Sequence, residues 1–278
     1  MAGKLILCAT PIGNLGDVSA RLKAELSGAD FIYAEDTRRA ATLLQSLDVR
    51  TKPRSYFVGN EERRAPELAG RLAAGDTVAL ISDAGMPAIA DPGLSAVRVA
   101  IEAEAEVTVI PGPSAVTAAL AVSGLPAERF VFEGFLPRKG KDRSQRIAAI
   151  ATEERTIVLF SAKSRLAADL ADLAETLGSE RSVVVTRELT KVFEETWRGT
   201  LGQAREHWTT HEPRGEFTLV VSGAVRLPFD LETAVAAAND AIESGESMAD
   251  AVRHIAAATE ISRRELYEAV LRAKTEKP

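Results

Sequence analysis

The sequence predicts an α/β protein with two domains and a small all-helical tail. Short apolar runs alternate with helical stretches through the first half of the chain, which is typical of βαβ units built on a mostly parallel sheet. This rhythm changes near residue 113. The length agrees with two domains, because 278 residues correspond to about two units of roughly 150 residues each.

The first domain is expected to span residues 1–112 and to hold a mostly parallel sheet. Its strands are continuous apolar runs that end in loops, as buried parallel strands do. These strands are predicted at residues 5–9, 31–34, 77–81 and 107–110. Helices are predicted at residues 21–26, 37–47, 66–74 and 94–105. Thr37 is the predicted N-cap of the second helix, and Gly75 ends the third.

The second domain is expected to span residues 113–226 and to hold a mixed sheet. Strands are predicted at residues 130–133, 157–160, 183–186, 193–198 and 217–221. Helices are predicted at residues 115–123 and 201–208. The last three strands lie close together along the chain, which favours some antiparallel pairing.

Residues 227–278 are expected to form a helical tail that opens at Leu227 and Pro228. Helices are predicted at residues 231–243, 248–258 and 263–273. The last two are separated by a four-residue turn, which resembles a helix-turn-helix. This tail carries ten acidic and six basic residues, and a net negative charge repels phosphate. A packing module is therefore favoured over a helix pair that binds a nucleic-acid groove.

The overall charge restricts the class of partner. With 34 basic and 40 acidic residues the net charge is −6, which argues against a protein that coats polyanions but leaves room for a local basic site. The single cysteine, Cys8, excludes a disulfide framework within the chain. The apolar runs are too short for a membrane span or a signal peptide, so a cytoplasmic protein without a membrane partner is expected.

Loops rich in glycine, proline and small residues follow the strands of the first domain. They lie at residues 10–17, 35–39, 82–93 and 111–115. In open α/β sheets a ligand sits beyond the carboxyl ends of the strands, and glycine and proline let a rigid backbone approach it closely. Four such loops predict a ligand site at this edge of the sheet.

Several common sites do not fit the sequence. The spacing of Gly13 and Gly16 is not that of a dinucleotide-binding loop, and the segment from Gly134 to Lys141 is one residue too long for a phosphate-binding loop. There is no hydrolase nucleophile elbow. His207 and His211 are interpreted as structural or solvated residues, so no metal is expected.

The motifs themselves resemble a known family. They are Ala-Thr-Pro-Ile-Gly-Asn-Leu-Gly-Asp at residues 9–17, Ala-Glu-Asp-Thr-Arg at 34–38, Ile-Ser-Asp-Ala-Gly-Met-Pro at 81–87, Ala-Asp-Pro-Gly at 90–93 and Pro-Gly-Pro-Ser-Ala at 111–115. Together with residues 134–137, 186–191 and 215–220, they are similar to the tetrapyrrole-methylase superfamily, and most similar to its ribosomal RNA branch. The resemblance covers roughly residues 4–222. It departs from the family pattern at Met86 and at residues 161–165, where Arg165 alone matches.

The resemblance implies a methyltransferase that uses S-adenosylmethionine, bound in a cleft between the two α/β domains, without a metal. It implies 2′-O-methylation of a cytidine ribose in the 16S rRNA of the small ribosomal subunit, and a homodimer. By resemblance, the donor is held by residues of both domains. These are Pro11, Gly13, Asp83, Ala84, Gly85, Ser114 and Ala115 from the first-domain loops and their continuation, with Leu136 and Thr218 from the second domain.

A base near the ribose hydroxyl would assist the transfer. Three carboxylates at strand ends are candidates, namely Glu35, Asp36 and Asp91. Arg38 and Arg39 stand beside the first two, where they either hold an RNA phosphate or form ion pairs at the start of a helix. The structural alternative for the carboxylates is the same ion pair, since an acidic residue near a helix N-terminus is favourable in any case.

RNA needs a positive surface, and a basic cluster follows an aromatic strand. The cations are Arg138, Lys139, Lys141, Arg143 and Arg146. Aromatic residues of the preceding strand would allow base stacking beside them. The alternative is a solvated charged loop.

Two other functions remain open. The first is methylation of a tetrapyrrole carbon on the same fold, which the segment 34–38, the basic cluster and the tail disfavour. The second is a non-catalytic RNA-binding factor, which the intact small-residue loops disfavour.

Overall fold

The computed structural model of the chain describes residues 3–224, 230–259 and 261–275, without the side chains of residues 257, 258, 274 and 275. It divides into two compact units, one that ends at Gly223 and one that begins at Ala224. Within the described ranges, no helix combines the length and the apolar character that crossing a membrane requires.

A parallel five-stranded sheet forms the first half of the larger unit. Its strands are β1 (Lys4–Cys8), β2 (Phe31–Ala34), β3 (Pro53–Ser55), β4 (Thr77–Ile81) and β5 (Glu106–Ile110), in the order β3-β2-β4-β1-β5. All four pairings are parallel. Side chains of successive strand residues point to opposite faces, and both faces of this sheet are buried.

Helices cover the two faces of the first sheet. They are α1 (Ala20–Gly28), α2 (Thr37–Ser46), α3 (Glu61–Ala73) and α4 (Leu94–Glu102). The first two pack on one face, where Leu26 and Leu44 meet Ile6. The other two pack on the opposite face, where Leu68 and Ala100 join the same cluster as Leu5. This layering leaves the carboxyl ends of the strands free of helices, so the loops there form one edge.

A mixed five-stranded sheet forms the second half of the larger unit. Its strands are β6 (Phe130–Phe135), β7 (Thr156–Ala162), β8 (Ser182–Arg187), β9 (Glu195–Thr200) and β10 (Glu216–Val221), in the order β6-β7-β10-β8-β9. β6 and β7 are parallel, and the other three pairings are antiparallel. The predicted fold class, a parallel and a mixed sheet followed by a helical tail, is therefore confirmed.

The helices of this half lie on both faces of the mixed sheet. They are α5 (Ala115–Ser123), α6 (Lys141–Ala151), α7 (Leu166–Leu177) and α8 (Leu201–Thr210). α6, α7 and α8 bury Ile147, Leu170 and Trp208 in one cluster. α5 packs on the opposite face, where Leu120 joins a cluster that also holds Ile12 from the loop after β1.

The smaller unit consists of three helices, α9 (Leu231–Glu243), α10 (Met248–Ala258) and α11 (Arg263–Thr275). Ala234, Val252 and Leu266 are fully buried in its core. Asp230 and Ser247 cap the first two helices through side-chain oxygens, as polar N-cap residues do. The predicted start at Leu227 and Pro228, and the predicted boundary at residues 226–227, lie outside the described residues.

Several predicted elements need correction. α2 is capped by Asp36 rather than by Thr37, because a carboxylate oxygen of Asp36 accepts the amide proton of Arg38 at 2.8 Å. α3 begins at Glu61 and contains Pro66, which the prediction placed at the helix start. The strand β3 and the helices α6 and α7 were not predicted.

The interior of α6 holds an arginine that was expected to bind RNA. Arg143 is only 6% exposed. Its guanidinium donates to Asp169 at 2.8 Å and to Asp172 at 2.6 Å, and also to the carbonyl oxygen of Pro137 at 3.0 Å. Arg143 therefore has its donors engaged inside the fold, and its predicted contact with RNA is wrong.

Replacing Arg143 with methionine should lower the free energy of unfolding by about 3 kcal/mol or more, because Asp169 would remain buried without its cation. Urea unfolding at neutral pH measures this loss. The exposed Arg138, changed to methionine, is the matched control and should shift stability by less than about 0.5 kcal/mol. A loss below 1 kcal/mol in the Arg143 variant would contradict a structural role for this residue.

Candidate functional site

A cleft of about 740 Å³ opens at the loop edge of the first sheet. Loops after β2, β4 and β5 form one wall. The ends of β6, β7 and β8 and the start of β10 form the other wall. Small-molecule sites are commonly concave and of about 300–1,000 Å³, so the predicted ligand site at this edge coincides with a cavity of suitable size.

Backbone hydrogen bonds hold the first wall together. Thr10 and Gly85 exchange two of them, at 2.9 Å and 3.1 Å, so that the loops after β1 and β4 form a short antiparallel bridge. Gly85 has a φ of +79°, a conformation that glycine adopts without strain. Gly112 lies close to Ala9, since a Cβ atom at this glycine would stand 2.9 Å from the Ala9 Cβ. The small residues thus bring three loops together.

Asp83 joins the loop after β4 to the loop after β2. One of its carboxylate oxygens accepts the backbone N–H of Asp36 at 3.0 Å. The other lies 3.4 Å from the guanidinium of Arg39, which also lines the cleft. The geometry therefore gives Asp83 an anchoring role in addition to its place in the cleft wall.

Asp91 and Glu35 are the two other carboxylates of this wall. The pKa of Asp91 is raised to about 6, mainly by burial and in addition by the nearby negative charges of Glu35 and Asp83. Burial also raises the pKa of Glu35, with the charge of Asp83 as the next cause. A carboxylate whose pKa lies near neutrality is suited to accept a proton.

Asp36, the third candidate base, is placed differently. It caps α2 and does not line the cleft. The guanidinium of Arg38 donates one hydrogen bond to each carboxylate oxygen of Asp36, at 3.2 Å and 2.8 Å. These hydrogen bonds hold the pKa of Asp36 well below its usual range. The structure therefore places Asp36 in the structural ion pair that was its alternative interpretation, with Arg38 as its partner.

Six of the nine predicted donor-binding residues line the cleft, namely Asp83, Ala84, Gly85, Ser114, Ala115 and Thr218. Pro11 and Gly13 do not, although Ile12 between them does. Gly13 instead faces Lys191, whose side chain would clash with a Cβ at this position. The side chain of Leu136 packs against the hydrophobic cluster under α6 and α7, while its neighbour Phe135 lines the cleft.

The second wall contains residues that the sequence did not single out. Lys191 lines the cleft between two carboxylates, 3.0 Å from Glu188 and 2.8 Å from Glu216. Residues 160–163 at the end of β7 line it as well. The motif at residues 186–191 was noticed as part of the resemblance, but its individual side chains were given no role.

The basic cluster divides between a loop and a helix. Arg138 and Lys139 lie on the loop between β6 and α6, and Lys141 is the first residue of α6. All three are exposed. Arg146, further along the helix, lies 3.0 Å from Glu133. Four cations of the cluster are thus on the surface, and among the described residues Arg146 is the one of them that is paired with a carboxylate.

No group of three or more histidine, cysteine, aspartate or glutamate side chains in the described part of the chain is arranged to hold a metal ion. Cys8 is buried in β1, and burial raises the pKa of its thiol to about 12. It is a core residue of the sheet.

Comparisons with known proteins agree with this architecture. The family model of the Tetrapyrrole (Corrin/Porphyrin) Methylases matches residues 4–205. The protein named ribosomal RNA small subunit methyltransferase I from Synechocystis sp. is 46% identical over 269 residues, which cover 96% of each chain. The protein of the same name from Mycobacterium tuberculosis is 45% identical, over 99% of this chain and 97% of its own.

Solved structures share the fold at low identity. A diphthine synthase superimposes with a TM-score of 0.62 at 16% identity, over 79% of this chain and 89% of its own. A uroporphyrin-III-C-methyltransferase from Thermus thermophilus has a TM-score of 0.56 at 18% identity, over 79% of this chain and 94% of its own. At these identities the likeness concerns the fold alone.

Proposed function

Because this chain belongs to the tetrapyrrole methylase family and, within it, to the group of ribosomal RNA small subunit methyltransferase I proteins, we propose that it methylates a cytidine ribose of 16S rRNA at the 2′-oxygen. The proposed methyl donor is S-adenosylmethionine, and the proposed substrate is the small ribosomal subunit. The observation that carries this proposal is the cleft, which sets carboxylates with raised pKa values beside a wall of small residues.

The residues of the cleft fit such a donor. When bound, S-adenosylmethionine supplies a methyl group on a positively charged sulfur. Ala84, Gly85, Ser114 and Ala115 leave the backbone accessible to a ligand of this size. The negative charges of Asp83 and the neighbouring carboxylates attract the positively charged sulfur of the donor to the first wall. S-adenosylmethionine carries no phosphate and therefore needs no phosphate-binding loop, and the sequence contains none with the required spacing.

The chain's own contribution to the reaction is alignment and proton removal. Holding the ribose hydroxyl in line with the methyl group, with water excluded, removes much of the barrier. The ribose oxygen forms the new bond to the methyl carbon as the carbon–sulfur bond breaks. We assign the hydroxyl proton to the Asp91 carboxylate, whose pKa is raised by burial and by the neighbouring charge of Glu35.

The decisive experiment incubates the purified protein with labelled donor and with small subunits from a strain that lacks the modification. Nuclease mapping should then place the label on one ribose. Label on a tetrapyrrole instead would select carbon methylation on the same fold. Binding to the subunit without any label would select a non-catalytic RNA-binding factor. The expected homodimer is tested separately, by sedimentation equilibrium of the same preparation.

The exposed cations Arg138, Lys139 and Lys141 should contact RNA phosphates. Each lost contact lowers the slope of log affinity against log salt by somewhat under one unit. Changing all three to alanine should therefore weaken binding to the subunit and flatten this slope by about two units. Donor affinity, measured by calorimetry, should stay the same. An unaltered salt slope would show that these side chains are only a solvated surface.

A further inference from the structure

We propose that the carboxyl ends of β6 and β7 form a nucleotide shelf, made of Phe135, Phe160 and Lys163, that receives one nucleotide of the RNA. Its base would stack on Phe135 and a phosphate would pair with Lys163. This proposal rests on the proposed function and adds the residues that recognise the substrate inside the cleft.

Phe135 presents an aromatic ring to the cleft. Its side chain is 58% exposed, and it lines the cavity. The ring of Phe160 lies 5.4 Å from it, centroid to centroid, and is itself packed edge-on against Phe132 at 5.0 Å. The Phe135 ring is thus supported by a neighbour while more than half of its surface stays available. Exposed rings of this kind serve as sequence-tolerant platforms for unpaired bases.

Lys163 supplies a cation beside this ring. Three cations line the cleft, namely Arg39, Lys163 and Lys191. Arg39 is close to Asp83, and Lys191 is neutralised between Glu188 and Glu216. The side chain of Lys163 is exposed, and it forms no ion pair or hydrogen bond with any residue that the structure describes. Its charge is therefore available for a phosphate.

Strand pairing brings the ring and the cation to the same edge. β6 and β7 are parallel neighbours, with Phe135 opposite Phe160 in the register. Lys163 follows the last residue of β7. Because parallel strands end at the same edge of a sheet, Phe135, Phe160 and Lys163 lie at the same edge of the mixed sheet.

The same edge carries the basic loop, which is tied down at two points. The guanidinium of Arg165 donates to the carbonyl oxygen of Arg138 at 2.7 Å. The guanidinium of Arg143 donates to the carbonyl oxygen of Pro137, the residue before Arg138. Because its backbone is held, the loop carries the Arg138 and Lys139 side chains outward beside the shelf.

The test measures RNA and donor binding separately for three variants. Phe135→Leu keeps an apolar contact with Phe160 but removes the ring, and it should weaken subunit binding about 5- to 150-fold without changing the salt slope. Phe135→Tyr keeps a ring and should stay within about two-fold of the original affinity. Lys163→Met should weaken binding and reduce the salt slope by somewhat under one unit. Calorimetric donor affinity should be unchanged in all three.

Matched controls lie outside the cleft. Phe193→Leu removes a ring that is 70% exposed on the connection between β8 and β9, and Lys52→Met removes an exposed cation ahead of β3. Both should bind RNA as the original protein does.

Two results would overturn the shelf. Loss of donor affinity in Phe135→Leu would assign the ring to the adenine of the donor instead. Unchanged RNA binding in both Phe135→Leu and Lys163→Met, with methyl transfer by the original protein intact, would remove these residues from substrate recognition. Failure of the original protein to methylate the subunit would count against the proposed function itself.

Discussion

Replacing Asp91 with asparagine should lower the single-turnover rate of methyl transfer by about a hundred- to ten-thousand-fold, the usual contribution of a general base. Asparagine keeps the shape of the side chain but does not accept the ribose proton. Donor and RNA affinities should stay within a few-fold of the original, because neither ligand loses a large contact. Rapid-quench measurement with labelled donor on saturating protein gives this rate directly.

The pH dependence provides a second readout. The pKa of Asp91 is raised to about 6, and the group accepts a proton only when ionised. The rate should therefore rise as the pH increases through about 6 and then level off. Glu35→Gln removes a negative neighbour that helps to raise this pKa, so the midpoint should move to lower pH.

The thermal stability of the Asp91→Asn variant separates the role of Asp91 as a general base from a structural role. A carboxyl group whose pKa is higher in the folded protein than in the unfolded chain disfavours folding once the pH exceeds both values. Asp91→Asn removes this penalty, so at pH 7 the variant should melt at the same temperature as the original or higher.

Asp36→Asn, at the cap of α2, should keep a rate of methyl transfer close to the original. If Glu35→Gln lost the rate and Asp91→Asn kept it, the two roles would be exchanged.

Replacing Ala115 with tryptophan should abolish detectable donor binding. Ala115 is the first residue of α5, is half-buried and lines the cleft. A bulky ring there would project into the space between the loops after β4 and β5. Its backbone position at a helix start tolerates a larger side chain, so thermal unfolding should remain cooperative. Isothermal calorimetry with S-adenosylmethionine measures the loss.

A smaller change at the same position calibrates this result. Ala115→Ser adds one oxygen atom, and we expect it to weaken donor binding by less than about ten-fold, roughly one and a half kcal/mol. Donor affinity unchanged by tryptophan would remove the loop after β5 from the binding site. Loss of cooperative unfolding would instead show that the ring had disturbed the packing of α5.

The sequence was sufficient for four of the five strands of the parallel sheet, because these four are apolar runs bounded by clear loops. β2 and β4 have the predicted bounds. It failed for β3, a three-residue edge strand that begins with Pro53 and has no apolar run. It also failed for α6, because its first three residues are all charged and resemble a loop, and because Ile147 and Ile150 are the only apolar members of its buried face beside Arg143.

The site was predicted in outline for a similar reason. Loops at the ends of parallel strands converge wherever the strands do, so the loops at residues 82–93 and 111–115 could be placed together in advance. The family resemblance then singled out Asp83, Gly85 and Ser114 within them. The pKa values could not, because they depend on burial and on charges brought in from other strands. Arg143 shows the limit most clearly. Its charge suggested a surface, whereas its partners Asp169 and Asp172 lie on a helix that the sequence did not reveal.

The carboxylates of the first wall also bear on how the proposed enzyme would release its product. Glu35, Asp83 and Asp91 face the cleft with Arg39 as the cation of that wall. The donor arrives with a positively charged sulfur, and this charge disappears when the methyl group leaves. Attraction between the wall and the ligand therefore weakens at the moment of transfer. The demethylated product would therefore bind the cleft more weakly than the donor does. This difference in affinity favours release of the product before the next donor binds.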